Sequence, residues 1–226
     1  PNLEYSQNLF KKLPELGVDI IEIGMPFTDP MADGLLIQKA GQRSLSNNTN
    51  LSNVFELVEE IRKEDNKTPI ILMGYYNPIY SMGVNNFLEQ SKRSGVDGFI
   101  IVDLPPEEDE ELCLPAKHLG LDFIRLATPT TSSTRIPKVL KNTSGFIYYV
   151  SVTGITGSKN LDIKKVENQV KKIKNQTNLP ICVGFGIKTP EDAKKISSIA
   201  DGVVVGSSIV ELIEKKQPID KIFKHI

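Results

Sequence analysis

The sequence predicts an α/β protein of parallel βα units. Short apolar segments alternate with amphipathic helical segments seven times along the 226 residues, the pattern of helices packed over a parallel sheet. Each apolar segment is nearly unbroken, as a strand covered on both faces requires. Each ends in a cluster of Gly, Pro, Asp, Ser or Thr. No linker, low-complexity stretch or shift in composition divides the chain, so a single domain is expected over residues 1–226.

The elements follow in order. Residues 4–16 read as an amphipathic helix, with Leu9, Phe10, Leu13 and Leu16 at helical spacing and Gly17 past its end. A strand is expected over 18–23. Residues 36–62 read as two helices broken around 46–50. The second strand is 69–73, followed by a loop at 75–78 and a helix at 84–94 that stops at Gly95. The third, 98–102, exits into Asp103-Leu104-Pro105-Pro106 and an acidic-started helix at 107–118. The fourth, 122–126, precedes a Thr/Ser/Pro loop at 128–134 and a short helix at 133–141. The fifth, 145–150, precedes a glycine-rich loop at 153–159 and a Lys- and Asn-bearing helix at 161–175. The sixth, 180–183, runs into Gly184-Phe185-Gly186 and then a helix start, with Thr189 at the cap position and Pro190 in the first turn. The seventh, 201–205, leads through Gly206-Ser207-Ser208 into the last helices.

Two folds share this pattern, an open doubly wound sheet and a closed eightfold barrel. A helix precedes the first strand, so barrel closure calls for one more strand before residue 1. The start at Pro1-Asn2-Leu3 therefore reads as a chain lacking its first strand.

Composition excludes several classes of function. Formal charge is −1, from 27 basic and 28 acidic residues, which offers no basis for nucleic-acid or membrane binding through net charge. No apolar run is long enough to span a bilayer. Residues 1–13 lack the basic start and apolar core of a signal peptide. Cys113 and Cys182 lack metal-ligand spacing and read as buried or partly buried free thiols of a reducing compartment. His118 and His225 read as solvent-side, which argues against a His-based triad or His metal site, and no metal is expected. Enrichment in Ile, Lys and Asn over Ala and Arg matches AT-rich coding. Cytoplasm is the expected location, or plastid stroma for an organelle gene.

The chemistry-bearing clusters all follow strands, the end at which barrels of this type carry their sites. The stretch VDIIEIGMPFTDPMADG, residues 18–34, joins Glu22 inside an apolar strand to Asp33 on a Gly/Pro-punctuated loop. A carboxyl in such a strand either faces a polar pocket or pairs with a basic group. Burial would raise its pKa into the range useful for proton transfer. Asp33-Gly34 by itself is also an ordinary turn dipeptide, and Asp103 fits a loop cap. Late in the chain, Gly154, Gly157, Gly184, Gly186, Gly206 and Ser207 follow three successive strands. Such turns let backbone amides approach a phosphate, and a helix start favours an anion; tight βα turns alone would also use them. Of Tyr148 and Tyr149, alternation turns one toward the barrel interior.

At these residues the sequence resembles the tryptophan synthase alpha subunit family. IEIGMPFTDPMADG carries the resemblance most specifically. LMGYYNPI at 72–79, DGFIIVDLPPEE at 97–108, LATPTT at 126–131, YYVSVTGITG at 148–157, VGFGI at 183–187 and VVVGSSIV at 203–210 follow in the family's order. Leu35 departs from the family's usual Pro. The missing start is the other departure, since the family has a first strand and an Ala-Gly-Asp-Pro turn before this point.

The resemblance implies a (β/α)8 TIM barrel and a lyase that cleaves indole-3-glycerol phosphate to indole and glyceraldehyde 3-phosphate. It implies Glu22 as the general acid/base, Asp33 as acceptor of the indole N–H, and Tyr148 beside the glycerol chain. Gly157, Gly186, Gly206 and Ser207 would contact phosphate, and Tyr75, Ile100, Thr156 and Phe185 would form the indole pocket and its covering loop. It implies no cofactor in this subunit and a pyridoxal-phosphate-bearing beta subunit as partner in an α2β2 assembly. Asp29-Pro30 and Asn77-Pro78, read as loops, would meet that partner. Three other readings stand beside it: an allosteric partner with impaired chemistry, a stand-alone indole-releasing lyase, and a phosphate-binding barrel isomerase. The Glu22–Asp33 signature separates the last from the lyases.

Overall fold

Apolar alternation and helix-start chemistry account for the elements of the computed structural model, which describes residues 3–151, 162–184, 187 and 189–218. The chain divides into two compact units, Pro1–Phe123 and Ile124–Ile226. The first holds α1 (Leu3–Lys12), β1 (Ile21–Gly24), α2 (Leu35–Ser46), α3 (Leu51–Arg62), β2 (Ile70–Gly74), α4 (Tyr76–Met82), α5 (Val84–Ser94), β3 (Gly98–Ile101) and α6 (Cys113–His118). Strands β1 to β3 pair in parallel in chain order, with Glu22 opposite Ile71 and Ile71 opposite Gly98.

That register sorts the side chains by face. Phe99 stacks on Phe87 of α5 with ring centroids 5.1 Å apart, and Phe87 meets Phe55 of α3 at 5.7 Å. Ile21, Ile23, Ile70 and Leu72 are buried on the same helix-covered side. The intervening positions Glu22, Ile71, Met73, Gly98 and Ile100 share the other face.

The second unit repeats the scheme. β4 (Asp122–Ala127) lies at its start, followed by α7 (Ile136–Leu140), β5 (Ile147–Val150), α8 (Ile163–Lys174), β6 (Ile181–Gly184), α9 (Pro190–Ser197), β7 (Gly202–Val203) and α10 (Ser207–Glu214). These strands are again parallel and in chain order. Ile147, Tyr149, Ile181 and Val183 pack with Val166, Val170 and Ile173 of α8 and Ile196 of α9. Strand order that follows chain order in both units is that of a (β/α)8 barrel, whereas a doubly wound sheet reverses its order at a switch point.

The structure corrects several sequence expectations. The helix expected over 4–16 ends at Lys12, and Pro14–Leu16 forms a separate 3-10 turn, because Pro14 has no amide to continue the helix. The loop expected at 75–78 is mostly helix: α4 begins at Tyr76, so Asn77 and Pro78 are helical residues. Pro78 is tolerated there because the first amides of a helix have no partner within it. The helix expected over 107–118 is a 3-10 turn at Pro106–Glu108 and a short α6. The seventh strand shortens to two residues. The Thr189 cap holds, its hydroxyl accepting from the Asp192 amide at 3.2 Å.

Candidate active site

The acid end of the site is built on β1 and the loop after it. Glu22 sits on the face of β1 away from the helices, where its neighbours in register are apolar. It keeps some accessible surface. Its carboxyl is nevertheless so enclosed that burial pushes its pKa up to about 7. Among the described residues no basic side chain pairs with it, so the structural-pair alternative finds no partner. A carboxyl of this kind exchanges protons near neutral pH.

The loop from Met25 to Gly34 is held by its backbone and by Tyr75. Met25 donates its amide to Met73 O at 2.8 Å, and the Asp33 amide donates to Pro30 O at 3.2 Å, closing a turn. Asp33 O accepts from Gln38 Nε2 at 2.9 Å, and Gly34 caps α2. Asp33 is thus both the turn residue the dipeptide suggests and a half-buried carboxyl. Burial raises its pKa, and a hydrogen bond donated by the Tyr75 hydroxyl opposes that rise. The same Tyr75 oxygen accepts from the Ala32 amide at 3.0 Å. Burial is also the main reason the Tyr75 phenol is pushed up to about 12.

Ile100 is fully buried on the same sheet face as Glu22. Phe27 escaped notice in the sequence, although it lies inside the signature. It rests against Tyr75 with ring centroids 5.6 Å apart. Asp103 is the loop cap suggested by its position, accepting from the Tyr76 amide at 2.8 Å at the start of α4. Sequence reasoning had no helix start there for it to cap. Asp29 and Asn77 are exposed, Pro30 and Pro78 partly so.

In the second unit the two tyrosines separate. Tyr149 packs into the helix-side core, and Tyr148 takes the other face of β5. A Cβ at Gly184 would lie 2.2 Å from the Tyr148 hydroxyl. Gly184, expected as a phosphate turn, is therefore required to let Tyr148 lie across β6. Gly206 caps α10, with open space where a side chain would be, and Gly206 and Ser207 are exposed. A helix start of this kind presents amides without intrahelical partners. Gly154, Thr156, Gly157, Phe185 and Gly186 lie outside the described residues, as does His225. His118 is exposed at the end of α6. Cys113 is buried, and burial pushes the Cys182 thiol up to about 11, so both are unreactive thiols. No cluster of metal-ligating side chains occurs among the described residues.

Comparison with known proteins places these features in a family. The family model for the tryptophan synthase alpha chain matches residues 1–224. A structure from Aquifex aeolicus VF5 is 41% identical with a TM-score of 0.89, over 98% of this chain and 84% of that one. Tryptophan synthase subunit alpha from Legionella pneumophila is 39% identical with a TM-score of 0.88, over 97% of this chain and 83% of that one. The match to a chain of the Pyrococcus furiosus tryptophan synthase α2β2 complex is 38% identical with a TM-score of 0.91. It spans 100% of this chain and 91% of that one.

Proposed function

The chain belongs to the tryptophan synthase alpha chain family, and from that premise we propose how its residues carry out the family's lyase reaction. The reaction is retro-aldol cleavage of indole-3-glycerol phosphate, the alpha reaction of tryptophan biosynthesis. Glu22 gives its proton to the indole carbon that bears the glycerol chain. The resulting carboxylate takes the proton of the adjacent hydroxyl. The carbon–carbon bond breaks as the aldehyde forms, and its electron pair restores the aromatic ring. Indole and glyceraldehyde 3-phosphate leave, and Glu22 is protonated again.

One observation carries this reading: Glu22 is an enclosed carboxyl, without a described basic partner, whose pKa is pushed to about 7. Such a group is present in both protonation states at working pH, which the two proton transfers require. Asp33 accepts the indole N–H and stabilises the positive charge that ring protonation creates. Tyr148 stands beside the glycerol chain. Ser207 and Gly206, with Gly157 and Gly186, hold the phosphate. Ile100, Tyr75, Thr156 and Phe185 enclose the indole.

The family's alpha subunit needs no cofactor of its own, and pyridoxal phosphate would reside on the beta subunit. Related chains assemble as α2β2 complexes, and this chain pairs with a beta subunit in the same way, through the Asp29-Pro30 loop and Asn77-Pro78 on α4. No described helix is long and apolar enough to cross a membrane. The proposed location is the cytoplasm, or the plastid stroma if the Ile-, Lys- and Asn-rich residue usage reflects an organelle gene.

The test is indole release by Glu22→Gln and Glu22→Asp, assayed with the beta subunit present. Loss of release with retained binding of a substrate analogue is expected. Turnover like that of the unsubstituted chain in Glu22→Gln would overturn the assignment.

A further inference from the structure

The near-neutral charge of the chain conceals two strongly charged halves. The first unit, Pro1–Phe123, carries 10 basic and 20 acidic residues, and the second, Ile124–Ile226, carries 17 and 8. Their formal charges are −10 and +9, which together give the −1 of the whole chain. AT-rich coding does not produce this split, because a bias in base composition acts on both halves alike. The basic excess is not used up in internal pairs either. Lys165, Lys171, Lys174 and Lys215 pair with carboxylates. Lys164 and Lys172 of α8 and Lys194 of α9 are exposed and have no ion pair among the described residues. In the first unit, by contrast, the segment after β3 exposes Glu107, Glu108, Glu110 and Glu111.

We propose that the second unit is an electrostatic guide for the phosphate end of the substrate. Its positive excess draws the dianion toward the Gly206–Ser207 helix start, and the negative charge of the first unit repels it. The proposal rests on the phosphate assignment made above, and it adds the means by which that end of the substrate is selected before contact. The charges favour a phosphate monoester over other ligands. Such a group carries close to two negative charges at neutral pH, so the field acts on it about twice as strongly as on a carboxylate. The indole ring is uncharged and feels almost nothing. A single exposed lysine holds an anion weakly. A field summed over a whole unit instead acts at a distance, and such fields raise encounter rates by about ten- to thousandfold. The start of α10 adds the unpartnered amides of its first turn at the point of arrival.

The experiment follows association of glycerol 3-phosphate with the full chain by phosphorus-31 NMR exchange at about 0.01 M and about 1 M salt, between which the screening length falls from about 30 Å to about 3 Å. Indole, followed by proton exchange, is the uncharged control. The association rate of glycerol 3-phosphate should fall about tenfold or more across that range, and that of indole by less than about twofold. Combining Lys164→Glu, Lys172→Glu and Lys194→Glu takes the second unit from +9 to +3. This triple variant should slow glycerol 3-phosphate by about three- to tenfold at low salt, flatten its salt dependence and leave indole unchanged. Lys164→Arg, Lys172→Arg and Lys194→Arg together keep the charge and should match the unsubstituted chain, which separates charge from local perturbation. A glycerol 3-phosphate rate that ignores salt, or a charge-reversed variant as fast as the unsubstituted chain at low salt, would overturn the proposal. So would self-association of the chain at low salt, seen by sedimentation and lost in the charge-reversed variant while the glycerol 3-phosphate rate stays unmoved. Ser207→Glu puts a carboxylate at the helix start and should abolish glycerol 3-phosphate binding. Undiminished binding there would instead refute the phosphate assignment beneath the proposal.

Discussion

At the scale of single residues, the two carboxylates differ through their surroundings. Glu22 has no described donor or cation to offset its burial, and Asp33 has Tyr75. The Glu22 shift also has a stability consequence. Its folded pKa is about 7 against 4.5 as the ordinary value, so between those values the unfolded chain gives up a proton that the folded chain keeps. Stability therefore falls as pH rises through that window. Glu22→Gln should stabilise the protein at pH 8 by on the order of 2 kcal/mol and leave it unchanged near pH 4. Thermal unfolding at the two pH values checks this, and equal effects at both would contradict it. Gly184 and Tyr148 make a second residue-scale case. Gly184→Ala puts a methyl group where the Tyr148 ring lies, with Cζ at 2.6 Å as well as the hydroxyl. It should cost about 1–3 kcal/mol, the usual range for overpacking. Tyr148→Phe should recover little of that loss and Tyr148→Leu more, because the ring as well as the hydroxyl obstructs. Denaturant unfolding of the four chains would measure the order.

At the scale of elements, two strand starts are secured by the same arrangement. Asp97, just before β3, accepts from the Ile70 amide of β2 at 2.7 Å and from Arg62 of α3 at 2.6 Å. Asp201, just before β7, accepts from the Ile181 amide of β6 at 2.9 Å and from Lys174 of α8 at 2.8 Å. In each, an Asp-Gly pair ends one strand–helix unit and caps the first amide of the strand before. Arg62 also donates to Gly95 O, Asp65 O and Thr68 O, so it binds a helix end to two loops. Arg62→Ala should therefore destabilise by roughly 2–4 kcal/mol, and Lys174→Ala by under 1, since the lysine pair is more exposed. Similar losses from both would refute the distinction. The family's usual Pro at position 35 has an element-scale explanation too. Leu35 is the first residue of α2, and Gly34 before it is extended at φ −69° and ψ 158°, a geometry that a following proline accepts. Leu35→Pro should raise stability by about 0.4–1 kcal/mol by restricting the unfolded chain. A lower melting temperature would show that the turn needs the leucine.

At the scale of the whole molecule, the proposed function includes assembly with a beta subunit, as related chains form α2β2 complexes. Exposed Asn77 on α4 is proposed for that contact, and it has no part in the acid/base pair. Asn77→Lys should weaken binding of the beta subunit by roughly tenfold, the scale of one misfitted interface residue, with thermal stability unchanged. Titration calorimetry checks it, and undiminished affinity would remove α4 from the interface. Much of this molecule could be read before any coordinates. The strand-helix alternation, the Thr189 cap, and the identity of Glu22 and Asp33 are local in the chain, written in spacing and in a contiguous signature. They are legible because periodicity and turn chemistry act over neighbouring residues. Asn77 and Pro78 read as loop in sequence yet are helical, because Pro within the first helical turn leaves no local mark distinguishing it from a turn proline. The seventh strand was overextended because apolar runs do not show where a partner strand stops. Fold class, family signature and the placing of the two carboxylates in it are legible from residue order alone. That Glu22 lies enclosed without a described counter-charge, and that Gly184 makes room for Tyr148, is visible only in the folded chain. Those facts depend on burial and on contacts between distant segments, and proton affinity and steric fit follow distance through space rather than distance along the chain.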